Sequence, residues 1–318
     1  MSQVKWPRVA VVGAGAVGCF FGAKLAKAGA AVTLIGRAQA MQAIADHGLE
    51  IIGQDYSGRV RLQTSTELSA AAGCDLILLC VKTTDTVETV KALAPHLKPD
   101  TAILSLQNGV DNVERIFEAT GFRAIPAAVY VAVEMNAPGK LLHRGRGDLS
   151  IGAFPFQAPS DVHAERFTSS SLKNIAAWFE ASGVPCTVSD NVMGELWAKF
   201  IVNCAVNAIS ALTQAPYGRM LEQPDIKTLI SALVRETVSI AQAHGVQLKD
   251  TDHEAAVFQV MKAMSGQYSS TAQDLARGKP TEIDALNGYV SKTAKLHGLD
   301  APLNAWLTAM VKLRAGQI

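Results

Sequence analysis

Aromatic side chains make up 6% of the chain, and its formal net charge is only +1. A balance so near neutral excludes the broad electrostatic attraction that holds nucleic acid or an anionic membrane, though not a local anion site. The five cysteines, Cys19, Cys74, Cys80, Cys186 and Cys204, form no Cys-x-x-Cys pair and lie mostly among apolar residues. They read as reduced core thiols of a cytoplasmic protein rather than as a disulfide framework. His96, His143 and His244 are scattered, without the spacing of a metal site, so none is expected. No apolar run reads as both long enough and free enough of charge to cross a bilayer. No N-terminal signal is expected either, because a strand pattern begins at Arg8. What is plentiful is apolar surface, 49% of residues, in a chain long enough for two domains.

The stretch that organises the chain runs from Arg8 to Arg37. An apolar strand leads into Gly13-Ala14-Gly15-Ala16-Val17-Gly18, then a helical run to Gly29 and a second strand from Ala31. Dinucleotide chemistry needs glycines at these places. Gly13 permits the tight turn, Gly15 lets backbone approach a pyrophosphate, and Gly18 lets the helix pack against the strand. The helix that opens there aims free N–H groups and a positive dipole end at the phosphates. A glycine-rich turn that binds nothing is the alternative.

An acid is missing where an NAD site usually has one. After Ile35 come Gly36 and Arg37 rather than Asp or Glu. A carboxylate would repel a 2′-phosphate, whereas a guanidinium binds it through two parallel hydrogen bonds. NADP is therefore expected over NAD, unless Arg37 is simply a solvated loop residue.

Downstream, a short helix over Ala40 to His47 is expected. Strands over Leu49–Ile52 and Arg59–Leu62 would form a small antiparallel excursion. Asp75 to Val81 is the continuous apolar run of a buried parallel strand, with Lys82 directly after it. Thr84 is expected to cap a helix running to about Leu97. Thr101 to Ser105 is the next strand, ending in the turn Gln107-Asn108-Gly109. Open α/β sheets bind ligands at that carboxyl edge, which makes Lys82 and Asn108 candidates by position. From Ala124 to Ser189 strand and turn alternate, with a helix near Ser170 to Ser182. Gly145 and Gly147 read as loops. A long helix over Asn191 to Leu212 opens a region of helical periodicity. The expected architecture is α/β: a Rossmann-type domain over 1–189 followed by an all-α domain over 190–318.

Glu195, Lys199, Asn203 and Asn207 are spaced by four, so they stack along one slowly turning helical stripe amid apolar residues. A cation with two amides suits a carboxylate or carbonyl oxygen. The alternative is an exposed edge with a Glu195–Lys199 ion pair. Further on, Ser270 lies one turn before Asp274, and Pro280 and Thr281 precede a helix that carries Glu282 near its start, where the dipole favours an ionised acid. Glu282 could equally serve that helix terminus alone, and Ser270 could be a surface hydroxyl.

These pieces occur in one order: the glycine turn to Gly18, Leu-Cys-Val-Lys82, Gln-Asn108-Gly, Glu-Leu-Trp-Ala-Lys199-Phe-Ile-Val-Asn203-Cys-Ala-Val-Asn207, Ser-Ser270 and Thr-Glu282-Ile-Asp-Ala-Leu-Asn-Gly288. Together they resemble the ketopantoate reductase (2-dehydropantoate 2-reductase) family over essentially the whole chain. The resemblance implies a Rossmann domain, a helical domain of the 6-phosphogluconate dehydrogenase type and an active site between them. It also implies NADPH-dependent reduction of a branched 2-oxo acid in pantothenate biosynthesis, and a homodimer. By position, Lys199 resembles the family's proton donor, and Asn203, Asn207 and Ser270 its substrate-binding residues. Asn108 resembles the residue touching cofactor and substrate, Lys82 and Glu282 cofactor contacts, and Arg37 the 2′-phosphate ligand. One departure is Tyr217, which stands where well-studied members place another substrate-binding asparagine. It keeps open a relative that reduces a different 2-oxo acid. A non-catalytic sensor of NADPH is the other alternative, although a sensor has no need of the Lys199 stripe.

Overall fold

The apolar runs of the first half pair into one sheet. Its strands are β1 (Arg8–Val12), β2 (Ala31–Ile35), β3 (Leu49–Gly53), β4 (Gly58–Val60), β5 (Gln63–Ser65), β6 (Leu76–Leu79), β7 (Ala102–Ser105), β8 (Ala124–Ala137), β9 (Lys140–Ile151) and β10 (Cys186–Val188). The computed structural model describes residues 5–53, 56–153 and 169–316, so part of the region from Ala124 to Ser189 lies outside the described residues. In the order β5-β2-β1-β6-β7-β8 every neighbour is parallel. That is the doubly wound order, which reverses between β1 and β6, and ligands bind outside the carboxyl ends of the strands at such a reversal.

The pleat sorts the side chains. Val9, Val11, Leu76, Leu78 and Leu104 enter one core, together with residues of α1 (Ala16–Ala28), α2 (Ala38–His47) and α5 (Ser169–Ala181). Ala10, Val12, Ile77, Leu79 and Ile103 enter the other, with α3 (Thr86–Leu93) and α4 (Asn112–Thr120). Parallel strands covered on both faces have no polar side to alternate with, hence the unbroken apolar run of β6. Beyond β8 the sheet continues as an antiparallel hairpin with β9, which also pairs with β3 and β10.

Several expectations are corrected here. Gly145 and Gly147 lie inside β9, not in loops, because register shifts in the β8–β9 ladder absorb extra residues there as bulges. Thr84 does not cap α3. The chain tightens into a 3-10 turn over Thr83–Asp85, Asp85 takes the cap position, and Thr84 Oγ1 donates to Asp85 Oδ1 at 3.0 Å. The helix ends at Leu93 because Pro95 enters a second 3-10 turn over Ala94–His96.

The chain divides into two compact units, Met1–Val192 and Met193–Ile318. The second is built on α6 (Val192–Thr213), with α7 (Tyr217–Leu221), α8 (Pro224–Ala243), α9 (His253–Ala263), α10 (Ser270–Ala276), α11 (Asn287–Leu296) and α12 (Pro302–Ala315). Ile201, Ala205, Val206 and Ile209 of α6 are buried in one core with Ile230, Leu233, Val257, Met261 and Val311. Contrary to the sequence reading, α6 is long and apolar enough to cross a bilayer. Its most apolar window is 67% buried within the protein, as for a core helix. Pro216–Gly218 is not a simple break, since α7 begins at Tyr217.

At the end of α8, His244 Nδ1 and His297 Nε2 are hydrogen-bonded at 3.0 Å, and the His244 ring lies 6.0 Å from that of Trp197. Partial burial, then the charge of His297, hold the His244 pKa below its usual value. The folded state therefore favours neutral imidazole. Below about pH 6.5 the unfolded chain binds more protons, so this contribution to stability is present above that pH and is lost as pH falls through the folded pKa. The melting temperature should fall from pH 7 to pH 5, and fall less steeply in His244→Gln.

Candidate active site

The glycine turn is pinned to the end of β2, where Gly13 N–H and Ala14 N–H both donate to the Ile35 carbonyl, at 3.0 and 3.1 Å. Gly13 has φ +98°, and a Cβ there would come within 2.6 Å of the Cys80 backbone. The turn is thus pressed against the end of β6, at the reversal of strand order. At Gly18 a Cβ would meet the Gly13 carbonyl oxygen at 2.5 Å and the Val11 side chain at 2.7 Å. Gly15 differs: its φ is −82°, and a Cβ would meet nothing within 4 Å. The chain itself requires glycine at 13 and 18 but not at 15. Gly15 caps α1 and offers no side-chain acceptor, so the N–H groups of Ala16, Val17 and Gly18 form a first helical turn open to an incoming anion.

Arg37 follows immediately, as the exposed cap residue of α2. Its neighbour Gly36 lies so close to the glycine turn that a Cβ would approach that of Ala14 to 2.9 Å. Lys82 and Asn108, both half-buried, stand after β6 and β7 at the same carboxyl edge. The two loops that carry them are tied by a polar network the sequence reading missed. Gln107 Nε2 donates to the Val81 carbonyl at 3.1 Å and to Thr86 Oγ1 at 2.6 Å, and Gln107 Oε1 accepts from Ser105. The Asn108 carbonyl accepts from Thr83 Oγ1 at 3.0 Å and from Asn112 Nδ2 at 2.6 Å. Thr83, Thr86, Ser105, Gln107 and Asn112 are all buried. In so dry a setting these hydrogen bonds fix the loops, because breaking one strands a buried polar group. Burial pushes the Cys19 thiol up to about 12, so this buried neighbour of the turn is no nucleophile.

In the second unit Lys199 and Asn203 are half-buried on α6 and Asn207 is buried. Lys199 sits between the almost fully buried Trp197 and Phe200. Glu195 of the same stripe forms an ion pair with Lys249, Nζ–Oε1 3.4 Å. Ser269 Oγ donates to the Asn207 carbonyl at 3.1 Å and accepts from Ala272 N–H at 3.0 Å, capping α10. The exposed Ser270, first residue of α10, follows directly on the serine that holds the Asn207 carbonyl. Glu282 does not open an α-helix as expected. It precedes a 3-10 turn over Ile283–Ala285, and Leu286, at φ −108° and ψ −103°, separates that turn from α11. Tyr217 packs into the core of this unit at 8% exposure, and burial raises its phenol to about 12. Its N–H donates to the Gln267 carbonyl, two residues before Ser269.

The description "Ketopantoate reductase PanE/ApbA" belongs to a family model matching residues 9–155, and "Ketopantoate reductase PanE/ApbA C terminal" to one matching 191–315. The chain belongs to the ketopantoate reductase family. It is 33% identical to a 2-dehydropantoate 2-reductase of Pyrococcus horikoshii over 96% of this chain and 97% of that protein. It is 30% identical to one of Halobacterium salinarum over 96% and 98%. Among solved structures, a PanE/ApbA family ketopantoate reductase from Ralstonia eutropha JMP134 superposes with a TM-score of 0.88 at 42% identity, covering 98% of this chain and 99% of that one. D-mandelate dehydrogenase, solved with NADH and anilino(oxo)acetate, has the same fold, with a TM-score of 0.88 at 23% identity over 98% and 99%. A nicotinamide dinucleotide is the cofactor class of the ketopantoate reductase family, and the open first turn of α1 beside Gly15 fits its pyrophosphate.

Proposed function

We propose that this chain reduces 2-dehydropantoate (ketopantoate) to pantoate with NADPH, in the cytoplasm, as a step of pantothenate biosynthesis. The observation that carries the reading is the Lys199–Asn203–Asn207 stripe joined through Ser269 to Ser270. Full-length relatives named 2-dehydropantoate 2-reductase support the substrate. The first unit is assigned chiefly to the cofactor and the second chiefly to the substrate.

Gly13, Ala14, Gly15, Ala16, Val17 and Gly18 hold the pyrophosphate, and Arg37 holds the 2′-phosphate. Lys82 and Glu282 are further cofactor contacts, and Asn108 serves both cofactor and substrate. The reduced nicotinamide supplies the hydride when bound. The protein must then supply orientation and one proton. Lys199, as ammonium, donates a hydrogen bond to the 2-oxo oxygen, gives it the proton and is recharged from solvent. The amides of Asn203 and Asn207 and the hydroxyl of Ser270 grip the substrate's carboxylate and hydroxyl.

Gly15→Ala separates binding from folding. With open space at its Cβ position, the variant should keep its melting temperature, yet bind NADPH about tenfold more weakly, or about 1.4 kcal/mol. Unchanged affinity by calorimetry would remove the pyrophosphate from this turn.

Tyr217 favours a second reading, a reductase of another 2-oxo acid, because a buried tyrosine cannot offer the amide found there in well-studied members. NADPH oxidation against ketopantoate and a panel of 2-oxo acids tests both readings. Ketopantoate should give the highest kcat/KM. Another acid in first place would favour the second reading, and no oxidation with any would defeat both. A homodimer belongs to the same proposal. Trp306, Met310 and Leu313 recur at helical spacing on α12 at 53–68% exposure, and sedimentation in solution tests whether a second copy covers them.

A further inference from the structure

Asn287, at the start of α11, is fully buried. Its Nδ2 donates to the Cys204 carbonyl of α6 at 2.9 Å and to Asn304 Oδ1 at 2.8 Å. Asn304, also fully buried, donates from its own Nδ2 and its backbone N–H to Glu236 Oε1, at 2.8 and 2.9 Å. Glu236 Oε2 accepts from the Leu303 N–H at 3.2 Å. A continuous polar line thus runs from α8 through the start of α12 and the start of α11 into the middle of α6. It ends on the carbonyl next to Asn203. One turn on, the Asn207 carbonyl is held by Ser269.

Stability alone gives a poor reason for this asparagine. Its Oδ1 is buried with no hydrogen-bond partner among the described residues, a cost that the two bonds donated by its Nδ2 offset only in part. Apolar packing around α6 is non-directional and tolerates small rotations of the helix, whereas a hydrogen bond to one mid-helix carbonyl does not. A single buried asparagine that fixes register at a cost in stability is a known use of such groups.

We propose that Asn287 is a positioning residue, which sets the rotation and height of α6 so that Lys199, Asn203 and Asn207 face the substrate together. The proposal rests on the reductase reading for what the stripe binds, but not for the mechanical link. Asn304 and Glu236 act through Asn287, by holding its amide in the donating orientation.

Asn287→Leu removes both donors and nearly keeps the volume. The expected result is a KM for the 2-oxo acid raised about tenfold and a lowered kcat, with NADPH affinity by fluorescence unchanged. Amide hydrogen exchange should quicken over residues 204–210 of α6. Val290→Ala, a buried apolar truncation on the same helix, is the comparison. It should lower the melting temperature and leave KM alone. Wild-type KM and unchanged α6 exchange in Asn287→Leu would overturn the proposal, as would an equal KM shift in Val290→Ala. Should the wild type reduce no 2-oxo acid, the reductase reading fails by itself. The exchange of residues 204–210 then decides the link, faster exchange upholding it and unchanged exchange overturning it.

Discussion

Lys199→Ala should lose roughly 10²–10⁴ in kcat, the usual worth of a positioned acid or base, while NADPH binding survives. Lys199 is half-buried on α6 between Trp197 and Phe200, which are 2% and 1% exposed. Holding an ammonium in such company is costly unless it is paired or hydrogen-bonded. The cofactor is assigned chiefly to the first unit, so its direct affinity, by fluorescence or calorimetry, should not follow kcat down. A purely structural lysine predicts another pattern: a lower melting temperature, with near-normal turnover in whatever protein remains folded. A variant keeping more than about a tenth of wild-type kcat, outside the range above, would remove Lys199 from the mechanism.

Arg37→Ala should weaken NADPH far more than NADH. Only NADPH carries the 2′-phosphate, and Arg37 is the cap residue of α2, where an NAD site usually places an acid. Charge-assisted hydrogen bonds of this kind are worth about 1.5–3 kcal/mol, roughly ten- to a hundredfold in affinity. Titrating both cofactors into wild type and variant reads the effect. Equal losses would show that Arg37 does not discriminate between them, and the NADP assignment would fall.

The central parallel strands and the turn between β1 and α1 were legible in the sequence for a physical reason. Strands covered on both faces have to be apolar throughout; Gly13 is demanded by its own positive φ, and Gly18 by its close approach to Gly13 and Val11 in the same short stretch of chain. The grouping of Lys199, Asn203 and Asn207 was legible because a four-residue spacing fixes a shared helical stripe. The polar supports were not. Gln107, Thr86 and Asn112 meet only when the loops after β6 and β7 are side by side, and Asn287 reaches Cys204 across 83 positions of sequence. No local spacing reports such a partner. β5 escaped because Gln63–Ser65 is a short polar edge strand. Glu282 was misplaced because apolar residues after it suggest a helix, while the break comes from the backbone of Leu286. The apolar length of α6 was masked in the sequence by Lys199 and the asparagines, which interrupt the run although the rest of that helix is apolar.

The most direct measurement uses NADPH deuterated at the transferable C4 position, with ketopantoate as the acceptor. Hydride transfer to the 2-oxo carbon predicts pantoate carrying one deuterium at C2, read by NMR or mass spectrometry, at a rate that falls with Lys199→Ala. Product without that deuterium, or no product while the labelled cofactor stays bound and unoxidised, would contradict it.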